Sequence, residues 1–365
     1  MWHRIGSTAR AFYDMVYLGF VAGTHAGSLI STFPSEARLH SIGALTSLGN
    51  LIKAMVPHGG AERTEALAQI GAYGDGMARH AIDPFAHGGG PNIPGWIAAA
   101  HNRFMTATGL PYLFEHAKAG MREMLADHLG RNIARPFAEL EPHLQNALRG
   151  YGIGAEEWQL LRSAGTLDAN GHKYLTPQAG HQIDAAAEVL LRARGRIGDK
   201  ATPEQITHAV DGLRRDLSDG LMMYYQDAAD RATVTAGARE QAFLRGSMKP
   251  GSVQDELVAA LMQFKTWPVA ALHQVLGRQF YDSLSRREAV WGVGAVAGLS
   301  MLGGYIRMTS RDLAYGDQPR IPQNVGDAAK IAAAALAQGG GLGIFGDFLF
   351  GWLRSRCRGR CSRIS

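Results

Sequence analysis

The residues that could carry chemistry are few, and their spacing argues against most of the chemistry their types allow. Gly341-x-Gly343-x-x-Gly346 matches a dinucleotide fingerprint letter for letter. That motif needs a strand before it, a helix N-terminus after it and an acidic residue about 20 positions further on. Here an Ala-rich helical run precedes it and an Arg-rich run follows, so the glycines are read as backbone pivots rather than a phosphate cradle. The 14 histidines contain no H-E-x-x-H. His80, Asp83 and His87 could cluster, and His101, His172 and His181 stand apart, each read as a polar edge residue rather than a ligand. Gly298-Leu299-Ser300-Met301-Leu302 lacks the last glycine of a nucleophile elbow, and no parallel-sheet pattern surrounds it. Glu139 with Glu141, and Glu156 with Glu157, point apart at their spacings and cannot act as paired glycosidase carboxylates. Cys357-Arg358-Gly359-Arg360-Cys361 places two thiols in a basic setting without the further ligands of a zinc site. The expectation is a chain with no catalytic residues, no cofactor and no metal.

Among the elements that must position these residues, helical periodicity dominates. Met121, Met124, Leu125, His128 and Leu129 share one helix face, as do Leu140, Leu144, Ala147, Leu148 and Tyr151. Thr202-Pro203-Glu204 reads as a helix start, followed by the stripe Ile206, Val210, Leu213, Leu217, Leu221. Asn170-Gly171 signals a type I′ hairpin near 166–175. Val253 to Tyr281 reads as a long amphipathic helix that Pro268 should kink. The fold class expected is all-α: a multi-helix array with one small β-hairpin and a C-terminal apolar helical hairpin. Its sections are 1–82 (helical), 83–95 (a Gly/Pro loop), 96–245 (a central helical domain), 246–353 (an apolar, Gly-rich helical region) and 354–365 (a basic tail).

Composition narrows the partners. Of 365 residues, 46% are hydrophobic and 19% charged, with 2 cysteines and a formal charge of +5. The five arginines from Arg354 onward account for that excess, leaving the body neutral, so sequence-specific nucleic-acid binding is not expected. The uncharged stretch Val16 to Phe33 is too rich in Ser, Thr and His to span a bilayer well and reads as a buried helix; Asp14 interrupts any signal-peptide core.

One segment is different in kind. Ala289 to Ile306 runs 18 residues without a charge, about 27 Å of helix at 1.5 Å per residue, close to a ~30 Å hydrocarbon core. Trp291, Gly294, Gly298, Gly303 and Gly304 lie on it, and Gly294-x-x-x-Gly298 would let two helices approach in lipid. A second apolar run, from Ile331, is broken by Gly339, Gly340, Gly341, Gly343 and Gly346. Together the two runs read as a hairpin hidden by neighbouring helices or by lipid.

The stretches MYYQDAADRATVTAGAREQAFLRGSMKPGS (Met223 to Ser252), MQFKTWPVAALHQVLGR (Met262 to Arg278) and ALAQGGGLGIFGDFLFG (Ala335 to Gly351) resemble the C-terminal region of the very large internal virion proteins of tailed bacteriophages and prophages. The resemblance takes in EHAKAGMREMLADHLGRNIARPFAEL (Glu115 to Leu140), YGIGAEEWQLLR (Tyr151 to Arg162) and GHKYLTPQ (Gly171 to Gln178). It implies a non-enzymatic part of a phage particle, ejected with the genome and helping DNA cross the host envelope. The partners implied are other virion proteins or copies of itself, with the host inner membrane in contact after ejection. The localisation implied is the virion, then the envelope, or the cytoplasm when expressed from a prophage. The alternatives are a resident inner-membrane-associated helical protein, or a fragment of a larger phage protein, the latter suggested by the Arg/Cys/Ser run after Trp352.

Overall fold

The computed structural model describes residues 28–56, 61–71, 109–198, 200–234, 272–314 and 316–336, with isolated helical positions between 96 and 107. Pro268, Gly339 to Gly346, His80, Asp83, His87, His101 and both cysteines lie outside the described residues. Contacts divide the chain into two units, neither of them a continuous segment. One comprises Met1–Ser35, Arg79–Phe114 and Thr233–Ser365, and the other Glu36–Ala78 and Glu115–Ala232. A helical pattern in the sequence identifies an element but not the element it packs against.

The described elements are helical apart from one hairpin, as the periodicity requires. They are α1 (28–39), α2 (Ala44–Met55), α3 (Ala61–Gln69), α4 (Leu110–Asn132), α5 (Pro142–Arg149), α6 (Ala155–Ala164), β1 (Leu167–Ala169), β2 (His172–Tyr174), α7 (Asp184–Ala193) and α8 (Pro203–Ala232). A π-helical turn, Leu272–Gly277, then leads into α9 (Arg278–Tyr281), α10 (Arg286–Ala314) and α11 (Val325–Leu336).

In the unit of Glu36–Ala78 and Glu115–Ala232, α8 is the organising element. Its start is a reciprocal cap: the Gln205 N–H donates to Thr202 Oγ1 at 3.3 Å and the Thr202 N–H donates to Gln205 Oε1 at 3.0 Å. Its apolar stripe buries Val210, Leu213, Leu217, Leu221, Tyr224 and Tyr225. Leu160 of α6 and Ile183, Ala187 and Leu191 at α7 pack into the same cluster. The hairpin pairs Leu167 with Tyr174, Asp168 with Lys173 and Ala169 with His172. Asn170 and Gly171 both take positive φ, 50° and 78°, as a type I′ turn demands. The hairpin lies on α4, where the Leu175 N–H donates to the Ala126 carbonyl at 3.0 Å. Trp158 of α6 is fully buried and its indole N–H donates to the Arg135 carbonyl at 2.9 Å. Arg162 satisfies the carbonyls of Ile133 and Ala134 just beyond α4, a cation placed at a helix C-terminus.

The close approach of hairpin and helix rests on one glycine. A Cβ at Gly130 in α4 would fall 1.9 Å from the Lys173 carbonyl oxygen, which is backbone and cannot turn aside. Gly212 in α8, by contrast, has nothing within 4 Å of the same point. Gly130→Ala is therefore expected to lower stability by ~1–3 kcal/mol through overpacking, while Gly212→Ala should raise it by up to ~1 kcal/mol on helix propensity. Thermal unfolding of the two variants beside the parent measures both signs.

Candidate membrane-facing hairpin

Ionisable groups converge at one place in the unit of Glu36–Ala78 and Glu115–Ala232, and the geometry turns them inward. The His40 ring lies with Nε2 3.1 Å from Glu36 Oε1 and Nδ1 2.9 Å from the Tyr224 hydroxyl. Donation from Nε2–H to the carboxylate leaves Nδ1 to accept the tyrosine proton, the one neutral tautomer that satisfies all three groups. Arg231 Nη1 stands 3.9 Å from the same Glu36 oxygen, and its Nη2 donates to Asp227 Oδ2 at 3.1 Å. Asp227 Oδ2 also accepts from the Tyr151 hydroxyl at 3.0 Å. The Tyr151 and Tyr224 rings close the circuit edge to face at 5.6 Å. A carboxylate, an imidazole and a hydroxyl in line is how a base activates a nucleophile, but Tyr224 is 0% and His40 1% exposed. Enclosed in this way, the line joins the end of α1 to α8.

The histidines and carboxylates singled out by type are dispersed. His172 Nδ1 sits 3.1 Å from Asp127 Oδ1, on the hairpin's seat against α4, and His181 is exposed. Glu139 and Glu141 are exposed. Glu156 and Glu157 both bind Arg194, and Glu157 also accepts the Gly154 N–H at 3.0 Å to cap α6. Burial alone would push the Glu157 carboxyl up, but the Arg194 hydrogen bond and backbone N–H groups hold it below the usual range. Among the described residues no group of three or more His, Cys, Asp or Glu is arranged to hold a metal ion. The sequence shows the Glu36/His40 spacing of one helical turn, yet nothing local reveals Tyr224, 184 positions further on.

α10 is covered on one flank and open on the other. Its start is capped by Ser285, whose Oγ accepts the Glu288 N–H at 3.2 Å while Glu288 Oε2 accepts the Leu284 N–H at 3.1 Å. One flank is covered, with Ala289, Gly292, Val296, Ser300, Gly303, Gly304, Met308 and Asp312 buried at helical intervals. Val296 joins Val234 and Val275 in a small core. α11 packs back on α10 as an antiparallel partner, its start capped by Asn324 Oδ1 accepting the Asp327 N–H at 2.8 Å. The turn between the helices is clasped by Arg320, which binds both oxygens of buried Asp312 at 2.8 and 3.2 Å. The Tyr305 hydroxyl donates to the Arg320 carbonyl at 3.1 Å.

The opposite flank is apolar and open. Val290 is 68% and Trp291 70% exposed, and Leu302, Ile306 and Leu313 follow at 46%, 45% and 59%. Gly294 and Gly298 lie on this flank with nothing within 4 Å of either Cβ position. The pair is therefore not used within the described fold, whereas Gly303 and Gly304 are buried. From Arg286 to Leu313 the helix is long and apolar enough to cross a bilayer, with 33% of its most apolar window buried.

No protein-family model, curated protein or solved structure matches this chain.

Two measurements follow from this geometry. Arg320→Ala removes the two hydrogen bonds that buried Asp312 accepts and leaves only the Arg311 guanidinium 3.8 Å away; it is expected to destabilise the α10–α11 turn by ~1–3 kcal/mol, which faster amide exchange in α11 than in the parent's α11 would report. The second concerns alkali. Burial, with Arg231 opposing and Asp227 adding, pushes the Tyr151 hydroxyl up to about 12, whereas an unfolded tyrosine ionises near 10. The folded chain keeps a proton that the unfolded chain loses, so stability is full below pH 10 and falls as the pH rises toward 12. Tyr225, raised further by complete burial, adds to the same slope. Urea midpoints across that window should drop, and less steeply in Tyr151→Phe.

Proposed function

We propose that this chain is a non-enzymatic structural component of a phage or prophage particle, ejected with the genome, whose α10–α11 hairpin meets the host envelope during DNA passage. The observation that carries the membrane part of this reading is the open apolar flank of α10 in a helix otherwise well capped and clasped. Exposed apolar area of this kind is worth about 25 cal/mol per Å² once removed from water, and contiguous apolar patches mark partner or membrane surfaces. The phage part is supported by the resemblance in Glu115 to Leu140, Met223 to Ser252 and Ala335 to Gly351.

In this reading, copies of the chain or other virion proteins cover the flank in the particle, and lipid covers it after ejection. Gly294 and Gly298, one turn apart on the open side, let a second helix come close once both are in lipid, where small residues rather than apolar burial drive association. The hairpin clasp keeps α11 with α10, since Asp312 and Arg320 neutralise one another and so reduce the penalty for bringing the turn toward hydrocarbon.

Dye release from vesicles of phosphatidylethanolamine and phosphatidylglycerol tests this. The purified chain is expected to release dye, and Gly294→Leu/Gly298→Leu, with unchanged helical circular dichroism, to lose most of that release. Intact vesicles at every protein concentration would remove the membrane-active role.

A further inference from the structure

The open flank of α10 does not begin at the helix. Immediately before it, Phe280 is 59%, Tyr281 87% and Leu284 52% exposed. Together with Val290 and Trp291 they place three aromatic rings and two aliphatic side chains on the surface within twelve residues. Single exposed apolar side chains are ordinary, but this many set together form a patch. The charges among them are asymmetric. Arg278 pairs with Asp282 at 2.5 Å, and Glu288 turns its carboxylate to the Leu284 N–H. Arg286 and Arg287 are exposed, and neither pairs with an acid among the described residues. Both acids of the segment are thus occupied, and two guanidinium groups remain beside the rings.

We infer that Phe280 to Trp291 is an interfacial anchor for an anionic bilayer: Phe280, Tyr281 and Trp291 occupy the headgroup boundary while Arg286 and Arg287 bind lipid phosphates. The inference rests on the membrane reading above and adds the lipid class and the order of contact. Its chemistry is that of the aromatic and basic belts at membrane surfaces, where amphipathic rings and long cationic side chains each keep a polar end in water. On α10, Arg287, Val290, Trp291, Gly294 and Gly298 recur at steps of three and four and lie on one side. A helix held at its N-terminal turn by Arg287 and Trp291 therefore lays the same side, with the two glycines, against the lipid. The anchor acts first, and the uncharged run from Ala289 to Ile306 follows it.

Co-sedimentation of the full chain with vesicles tests the anchor, using phosphatidylcholine alone and phosphatidylcholine with phosphatidylglycerol. Each arginine near an anionic surface contributes about fivefold to partitioning. Arg286→Gln/Arg287→Gln should therefore bind anionic vesicles roughly 25-fold less tightly and neutral vesicles no differently. A second variant reports position: Tyr281→Cys in a Cys357→Ser/Cys361→Ser background, carrying an environment-sensitive dye, should shift to the blue on anionic vesicles and lose the shift at high salt. Equal binding of the parent to both vesicle types overturns the anchor, as does an unchanged affinity of the arginine variant or a dye that stays in water. A change in self-association in place of vesicle binding, seen by sedimentation velocity, overturns it too and assigns the patch to a second copy. The two readings fail separately. Arginine-dependent binding without dye release leaves the anchor and removes the permeabilising role, whereas dye release with arginine-independent binding does the reverse.

Discussion

Apolar helix surface has to be covered, and the two long helices α8 and α10 meet that demand in different ways. α8, with 30 residues, buries ten of them beneath neighbours from its own unit. α10, with 29, covers one flank with α11 and the small valine core and leaves the other to whatever lies outside the described fold. The lengths are similar, but α8 carries charges along its whole length whereas α10 has none from Ala289 to Ile306, so α10 has apolar surface on more of its circumference to cover. A helix that is apolar on both flanks cannot be covered by a single antiparallel neighbour, which touches only a limited arc of its circumference.

The interior of the other unit shows what full coverage looks like and what it requires of polar groups. Glu36 and His40 enter a place where an unpaired carboxylate or imidazole would be expensive. Every acceptor in the line Tyr224–His40–Glu36–Arg231–Asp227–Tyr151 has a donor aimed at it. A buried pair of this type contributes little net stability compared with apolar packing. Its geometry is directional, however: rotating the end of α1 about its own axis would break the Tyr224–His40 hydrogen bond and part Glu36 from Arg231 at once. His128, close by, is held below the ordinary histidine range by burial first and by the neighbouring His40 second, which keeps the surroundings of the line free of a further positive charge.

Local signals in the sequence were faithful to the fold, and long-range ones were missing. The Thr202-Pro203 start of α8, its stripe from Val210 to Leu221 and the Asn170-Gly171 turn are each decided by residues within one or two turns of each other, so they can be read directly. The association of 36–78 with 115–232 is decided by surfaces distant along the chain and leaves no periodic trace. The same limit applied to the candidate site. The charge-free run from Ala289 to Ile306 was visible as apolar, but which flank would be buried was not, because that depends on where α11 and Val234 happen to lie. In the sequence Phe280 and Tyr281 read as the end of an amphipathic helix, and the period alone does not show that their rings stand exposed. A sign is present in Asp282-Ser283-Leu284-Ser285, where three residues with turn and capping preferences, Asp282, Ser283 and Ser285, interrupt the apolar period just before Arg286.

Some glycines mark where helix surface is most tightly packed. At Gly120, Gly130 and Gly220 a Cβ would meet Ala54, Lys173 or Tyr151 at 2.6, 1.9 and 2.7 Å, so each glycine is there because a neighbour already occupies the space. Gly294 and Gly298 meet nothing within 4 Å. Each glycine inside a helix destabilises it by roughly 0.5–1 kcal/mol relative to alanine, and in water these two recover none of it. Gly49 and Gly212 are just as open, so openness alone assigns no neighbour; Gly294 and Gly298 differ in standing one turn apart on the same open, apolar side of one helix. Lipid alone would not require glycine there, since any apolar side chain is accommodated by acyl chains. A second helix would, and the spacing that makes α10 a weak helix in isolation is the spacing that lets two backbones approach when apolar surface no longer drives them together.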